Sequence, residues 1–508
     1  MDRYEALKHY FGHTSFREGQ DVIIDALLSG RDAMAIMPTG AGKSMCFQIP
    51  ALISDGIALV ISPLISLMKD QVLSLISMGA PAAYINSSLT SSQQTEALRR
   101  AALGRYKIIY VAPERLNTAE FLRFALQADI SLIAVDEAHC VSQWGQDFRP
   151  SYLQIVDFIR KLPKRPPVGA FTATATPRVK DDILQLLQLQ KPQTVVTGFD
   201  RPNLRFTVQK TPSMQERDQM LLQIVRDHAG ESGIVYCATR KAVEDVCQLL
   251  GDFGIAATRY HAGLSDGERR ANQDDFRFDR AAVMVATNAF GMGIDKSNVR
   301  YVVHYNLPKD LESYYQEAGR AGRDGGEAEC ILLYNGRDVH TARFLIEHSE
   351  PRLDLEEDER AALMERDLER LKQMTYYAAS YKCLRKFILN YFGEHAAAHC
   401  GNCSYCLTEQ AAAYMPAVKK EPLPAREPGL LGALKDLRNR IARIKGVPAY
   451  VIFSDDTLRD MAEKLPTTIE EFAQVKGVGE VKLEQYGPDF LSILRVYALA
   501  QLQGKTIP

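Results

Sequence analysis

The chain has 508 residues, is 46% hydrophobic and 24% charged, and carries a formal net charge of -2 at pH 7. This length suits about three or four domains with sizeable cores, and the composition excludes bulk disorder. The near-neutral balance excludes a uniformly basic, histone-like binder but leaves room for a local basic groove on nucleic acid.

The N-terminus, MDRYEALKHYFGHTSF, lacks the apolar h-region of a signal peptide. No run approaches the apolar length of a membrane span. Isolated cysteines such as Cys46, Cys237 and Cys330 sit in apolar settings, which fits a reducing compartment. The expected location is cytoplasmic.

From about residue 20 to 200, short apolar runs alternate with helical patterns. DAMAIMPTG, GIALVISPL, YKIIYVAPE, SLIAVDEAH and PPVGAFTATAT each read as a buried strand ending in a polar loop. SLMKDQVLSLISMG reads as a helix between two of them. The same rhythm returns from about 205 to 340 in GIVYCATR, AATRYHAG, AAVMVATNAFG, VRYVVHYNLP and ECILLYNG. Two βαβ series in tandem predict two parallel-sheet domains with a ligand cleft between them. Residues 341–382 read as helical. A cysteine cluster follows, then a proline-bearing linker over 408–427 and a small helical bundle from 428 on.

MPTGAGKS follows the first strand and opens a helix. Thr39, Gly40 and Gly42 let backbone N–H groups face phosphate. Lys43 then reaches the β- and γ-phosphates of ATP, and Ser44 ligates Mg²⁺. Met37 stands where the strict P-loop pattern has its first glycine. VDEAH closes another strand, placing Asp136 to hold Mg²⁺ and Glu137 to orient the attacking water. His139 either caps a helix or, as the preferred reading, couples the ATP site to its neighbours.

Past DEAH, the only tryptophan, Trp144, lies near Phe148, Arg149 and Tyr152. Such a set can stack on unpaired bases and contact phosphate. It can equally be a core tryptophan pinning a loop. In the second domain, QEAGRAGRDG spaces Gln316, Arg320 and Arg323 as on a helix, and the arginines suit a departing phosphate. Cys383, Cys400, Cys403 and Cys406 are spaced C-x16-C-x2-C-x2-C. Four thiolates suit a closed structural Zn²⁺ site or an iron–sulfur cluster.

FREGQ, MPTGAGKS, SPLISLMKDQ, DEAH, FTATATP, ATNAFGMGID and QEAGRAGRDG stand in the order of the superfamily 2 helicase motifs, and their wording resembles the RecQ DNA helicases. The resemblance covers residues 1–407 densely. It implies an α/β fold: two tandem RecA-like parallel-sheet lobes (1–203 and 204–340), a helical zinc-binding module (341–407) and, past the linker, an all-α HRDC bundle (428–508). In FREGQ it implies that Arg17 and Gln20 read the adenine edge. His13 stands where the family commonly has a tyrosine, and its ring buries less area on the base. The resemblance makes Trp144, Phe148 and Arg149 part of a loop linking DNA binding to ATP hydrolysis. It also favours zinc on the four cysteines, with His395 and His399 as spectators.

LKDLRNRIARIK onward resembles HRDC. Its start is basic, through Lys435, Arg438, Arg440, Arg443 and Lys445. Its VKGVGEVK turn either offers N–H groups to phosphate or simply caps helices. Many relatives carry a winged-helix domain between zinc module and HRDC, and the interval here is too short for one.

The implied function is an ATP-, Mg²⁺- and Zn²⁺-dependent 3′→5′ DNA helicase of repair and recombination. It acts as a monomer on single-stranded and partly duplex DNA in the bacterial cytoplasm, at the nucleoid. Repair proteins are expected partners through HRDC or the linker. One alternative is a DNA-stimulated ATPase that translocates, remodels or anneals strands with weak unwinding. The other is an RNA-dependent DEAH-type ATPase.

Overall fold

The computed structural model describes residues 1–145, 147–290, 296–348, 357–413 and 429–502. The expected linker from 414 on and the end of ATNAFGMGID lie outside the described residues. The described chain forms two compact units, one holding residues 1–199 and the helices after Gly429, the other holding the remainder.

The first unit is built on a seven-stranded sheet. Its strands are β1 (Ala33–Ile36), β2 (Ile57–Ile61), β3 (Ala82–Ile85), β4 (Ile108–Val111), β5 (Ile130–Val135), β6 (Val168–Thr172) and β7 (Gln193–Val196). The order is β3-β4-β2-β5-β6-β1-β7, and every pairing is parallel. Parallel strands need covering on both faces, and β1, β2, β4 and β6 are buried along their whole length. The order places the ends of β2, β5, β6 and β1 side by side. Loops leaving the carboxyl edge of such a sheet form its natural ligand site.

The second unit has a six-stranded sheet of β8 (Leu204–Lys210), β9 (Ser232–Tyr236), β10 (Ala257–Tyr260), β11 (Val283–Ala286), β12 (Val299–His304) and β13 (Ala328–Tyr334). Its order is β10-β11-β9-β12-β13-β8, again all parallel. The helical module packs on this sheet. Arg385 reaches Asp200 and the carbonyls of Arg201 and Leu204. Tyr377 Oη meets Tyr314 Oη at 3.1 Å, and Val208 N–H donates to Ser404 Oγ at 3.3 Å.

The helix carrying Cys406 runs Ser404–Ala413, so the first residues of the expected linker continue a helix. Alanines at 411–413 are the strongest helix formers and extend it. The chain after Gly429 forms a helical bundle around Leu434, Phe453, Phe472 and Phe490. Its long elements are Leu430–Lys445, Asp455–Lys464 and Glu480–Leu502.

Candidate functional site

The P-loop leaves β1 and enters helix Lys43–Ile53. Gly40 and Gly42 have φ of 84° and 83°, a left-handed backbone that glycine adopts without strain. Lys43 Nζ donates to the carbonyls of Met37 at 3.0 Å and Pro38 at 3.4 Å. Met37 is fully buried under β6, its N–H bonded to Thr172 O at 3.1 Å. The side chain therefore fills core where the strict motif has glycine.

Arg17 and Gln20 come to the same loop. Arg17 Nη1 donates to Gly40 O. Gln20 Nε2 donates to Ala41 O at 3.0 Å and Gly42 O at 3.1 Å, while its Oε1 accepts from Arg17 N–H at 2.8 Å. Both ends of the Gln20 amide are thus engaged on the P-loop, and a base contact requires it to release those carbonyls. His13 is held neutral: burial, then Arg17 and Lys476, push it down to about 4.

DEAH leaves β5 beside this loop. Burial and neighbouring Glu137 push Asp136 up to about 7, with Lys43 pulling it down. Glu137 has φ of 47° and a buried Oε2 without a hydrogen bond among the described residues. His139 Nδ1 lies 3.4 Å from that oxygen. A raised carboxylate and an unsatisfied carboxylate oxygen beside a lysine fit a divalent cation and a water, with Ser44 and Asp136 as the oxygen ligands a hard cation prefers. His139 Nδ1 also lies 2.8 Å from Thr172 Oγ1 at the end of β6, and Thr172 Oγ1 donates to Thr174 O at 3.1 Å. DEAH and TATAT are therefore bonded to each other.

The aromatic loop is tied down at its C-terminal end. Tyr152 Oη donates to Asp136 O at 2.9 Å, and Arg149 Nη1 donates to Pro63 O of SPLISL at 2.8 Å. Trp144 is half-buried, with the Arg178 guanidinium 3.0 Å from its ring centroid. It is a rim residue covered by a cation and not a core residue. Phe148 is half-buried in the same loop.

In the second unit the helix of QEAGRAGRDG ends at Ala318. Gln316 is on the helix, whereas Arg320 and Arg323 sit on the turn beyond it, which corrects the expected helical spacing. Gly322, with φ of 57°, ends the helical path. Arg201 and Asn203 take the freed carbonyls, Arg201 Nη2 reaching Gly322 O at 2.8 Å and Asn203 Nδ2 the same oxygen at 2.9 Å. Burial of Arg320 leaves it 3% exposed. The sequence held no periodic signal for Arg201, which follows Asp200 in a short loop.

The thiols of Cys383, Cys400, Cys403 and Cys406 all lie within 4.8 Å of one another. Two thiolates on one zinc are at most about 4.6 Å apart, given bonds of about 2.3 Å. The cluster fits four thiolates around a single ion. Cys383 and Cys403 Sγ are 4.0 Å apart, and His399 Nδ1 lies 4.0 Å from Cys406 Sγ at the margin.

One N–H of the bundle turn that offered such groups to phosphate is already used. Gly477 N–H donates to Gly12 O at 3.1 Å. Arg438 leaves the basic face as well: it is 4% exposed and bonded to Asp455 Oδ1 at 2.5 Å and Phe453 O at 3.0 Å.

A nucleotide loop, an acidic strand end bonded to a threonine loop, a second parallel-sheet domain and a four-thiol cluster define a two-lobed helicase motor with a structural metal module. Family descriptions match accordingly: DEAD/DEAH box helicase over residues 17–183, helicase conserved C-terminal domain over 216–325, RecQ zinc-binding over 336–407 and HRDC domain over 427–494.

ATP-dependent DNA helicase RecQ of Bacillus subtilis is 40% identical over 591 residues, covering 97% of this chain and 98% of the relative. ATP-dependent DNA helicase RecQ of Haemophilus influenzae is 35% identical, covering 96% and 95%. The solved DEAD-box helicase Mss116p bound to single-stranded RNA and AMP-PNP shares the fold at a TM-score of 0.56, with 16% identity over 75% of this chain and 86% of that one. The chain belongs to the RecQ family. It is an ATP-dependent DNA helicase with a RecQ zinc-binding module and an HRDC domain.

Proposed function

We propose that this helicase moves 3′→5′ on single-stranded DNA and serves repair and recombination, with lobes at 1–203 and 204–340, a zinc module from 341 through the helix ending at Ala413, a linker after it and HRDC at 428–508. The observation that carries the coupling is the pair of bonds from DEAH, His139 to Thr172 and Tyr152 to the Asp136 carbonyl. They connect the residues around ATP to TATAT and to the aromatic loop that meets DNA in this reading.

Thr39, Gly40, Gly42 and Lys43 hold the phosphates, and His13, Arg17 and Gln20 face the base. Ser44 and Asp136 hold Mg²⁺, which when bound neutralises charge on the β- and γ-phosphates. Glu137 orients the attacking water. Gln316, Arg320 and Arg323 stabilise the departing phosphate in the ATP-bound state, a contribution on the order of 10³–10⁵ in rate for an arginine finger. Trp144, Phe148 and Arg149 meet unpaired bases and phosphate, where each stacked base is worth about 1–3 kcal/mol. Cys383, Cys400, Cys403 and Cys406 ligate zinc. Such a closed site folds the module and performs no chemistry.

The protein works as a cytoplasmic, nucleoid-associated monomer, and repair proteins meet it through HRDC or the linker. The helix of the zinc module ends at Ala413 and the next described helix starts at Leu430. A winged helix does not fit that interval. The alignment to the B. subtilis relative is longer than this chain, which accords with a short form. Strand separation then falls to the remaining surfaces.

ATP turnover with DNA or RNA of equal length, together with displacement of a 3′-tailed duplex, tests this reading. DNA-stimulated turnover with displacement supports it. Turnover without displacement selects a translocating remodeller, and preference for RNA overturns it.

A further inference from the structure

The segment assigned to the adenine base begins at Gly12, the left-handed cap of helix Arg3–Phe11, with φ of 68°. That cap is in direct backbone contact with the HRDC turn. Gly12 O accepts from Gly477 N–H at 3.1 Å. A Cβ on Gly12 would lie 2.5 Å from Val478 backbone atoms, and one on Gly479 would lie 2.8 Å from His9 O and 3.2 Å from Tyr10 O. Two glycine backbones thus meet where neither chain has room for a side chain.

Polar contacts flank them. Lys8 Nζ donates to Ala473 O at 2.5 Å, and His9 Nδ1 lies 2.7 Å from Glu480 Oε2. Val481 packs close to Gly79, where its Cγ2 would lie 3.1 Å from an added Cβ. On the other side of Gly12, the segment reaches the nucleotide loop through Arg17 to Gly40 O and Gln20 to Ala41 O and Gly42 O. A continuous path of hydrogen bonds and backbone runs from HRDC through residues 12–20 to the P-loop.

We propose that the HRDC turn Gly477–Val478–Gly479 is a positioning element for nucleotide binding, gripping Gly12 so that residues 13–20 are already ordered when ATP arrives. The inference rests on the base-reading role of that segment. A binding-competent state populated only fractionally weakens apparent affinity by that fraction, so release of the grip acts on KM and leaves the chemical step intact. His13 lies under this contact, with Lys476 and Asp456 of HRDC among the charges acting on it.

Gly479→Ser separates docking from folding. Gly479 accepts the first bond of the terminal helix, from Leu483 N–H at 2.9 Å, and serine is at least as good a cap as glycine there. The three heavy atoms nearest its added Cβ belong to His9, Tyr10 and Gly12. In the full-length protein, Gly479→Ser is expected to raise the KM for ATP about three- to tenfold with DNA-stimulated kcat within about twofold. The His13 imidazole, followed by NMR in histidine-labelled protein and assigned with His13→Gln, is expected to titrate nearer its ordinary value. An unchanged KM overturns the proposal whatever else is seen. Arg17→Ala tests the underlying reading separately, through discrimination of ATP from GTP. If Arg17→Ala leaves that discrimination intact, the base-reading role falls and takes the proposal with it. If Arg17→Ala relaxes discrimination while Gly479→Ser changes nothing, only the positioning role is lost.

Discussion

His139 Nδ1 and Thr172 Oγ1 stand 2.8 Å apart, joining the end of DEAH to the first threonine of TATAT. His139 is 1% exposed, and burial pushes its basicity down, so the bond is made by a neutral ring. Replacing it by alanine leaves Thr172 with one partner fewer and breaks the route from β5 to β6. His139→Ala is expected to keep basal ATP turnover within a few-fold and to cut the stimulation by DNA about tenfold or more. Steady-state ATPase with and without single-stranded DNA reads this, and full stimulation would refute the coupling role.

Lys43 sits at the mouth of the P-loop on the Met37 and Pro38 carbonyls. Lys43→Ala is expected to lower kcat by at least about 10²-fold, the scale for losing one preorganised charge-stabilising donor. DNA binding, followed by fluorescence anisotropy, should persist. Normal turnover would sink the P-loop assignment.

The four thiols enclose room for one ion and no water ligand. Structural zinc contributes roughly 10–16 kcal/mol in apparent binding terms, and the module it would fold reaches the Arg201 and Leu204 carbonyls through Arg385. Cys400→Ser should yield insoluble or protease-sensitive protein with less than stoichiometric zinc by elemental analysis. A soluble, fully active variant would contradict the assignment.

Arg217 and Asp338 form a bidentate pair, 3.1 and 2.8 Å, with the arginine 1% exposed. Removing one partner strands the other charge. Arg217→Ala should therefore destabilise the second lobe by about 3–5 kcal/mol, read as a lowered midpoint of denaturant unfolding with the first lobe's transition unchanged.

His13 gives a pH signature. Its folded value is about 4 against an ordinary 6.5. Below 6.5 the unfolded chain takes up a proton that the folded chain refuses, so the stability this residue contributes is complete above pH 6.5. It is lost as pH falls toward 4, up to about 3 kcal/mol in all. The stability difference between pH 8 and pH 5 should shrink in His13→Gln. An identical difference would show that His13 titrates normally.

Much of this was legible in the residues, for physical reasons. Central strands such as β2 and β4 are buried on both faces and read as unbroken apolar runs. β3, β7 and β8 were missed. Each lies at a sheet edge; β3 and β8 mix buried with partly exposed positions and β7 has no buried position at all, so the signal is diluted. The P-loop and the cysteines announced themselves because their chemistry fixes spacing. The turn carrying Arg320 and Arg323 was hidden because its geometry depends on Arg201, more than a hundred positions earlier. The Gly12–Gly477 contact was hidden more deeply: it is made by backbone atoms of glycines, which leave no pattern of side chains to read.

Direction is the claim on which the account turns. A long DNA strand carrying a short complementary strand at each end, with single-stranded DNA between, measures it directly. In the presence of ATP and Mg²⁺ the account predicts release of the strand paired at the 5′ end of the long strand, and none when Lys43 is alanine. Release from the 3′ end alone, or no ATP-dependent release from either end, would contradict it.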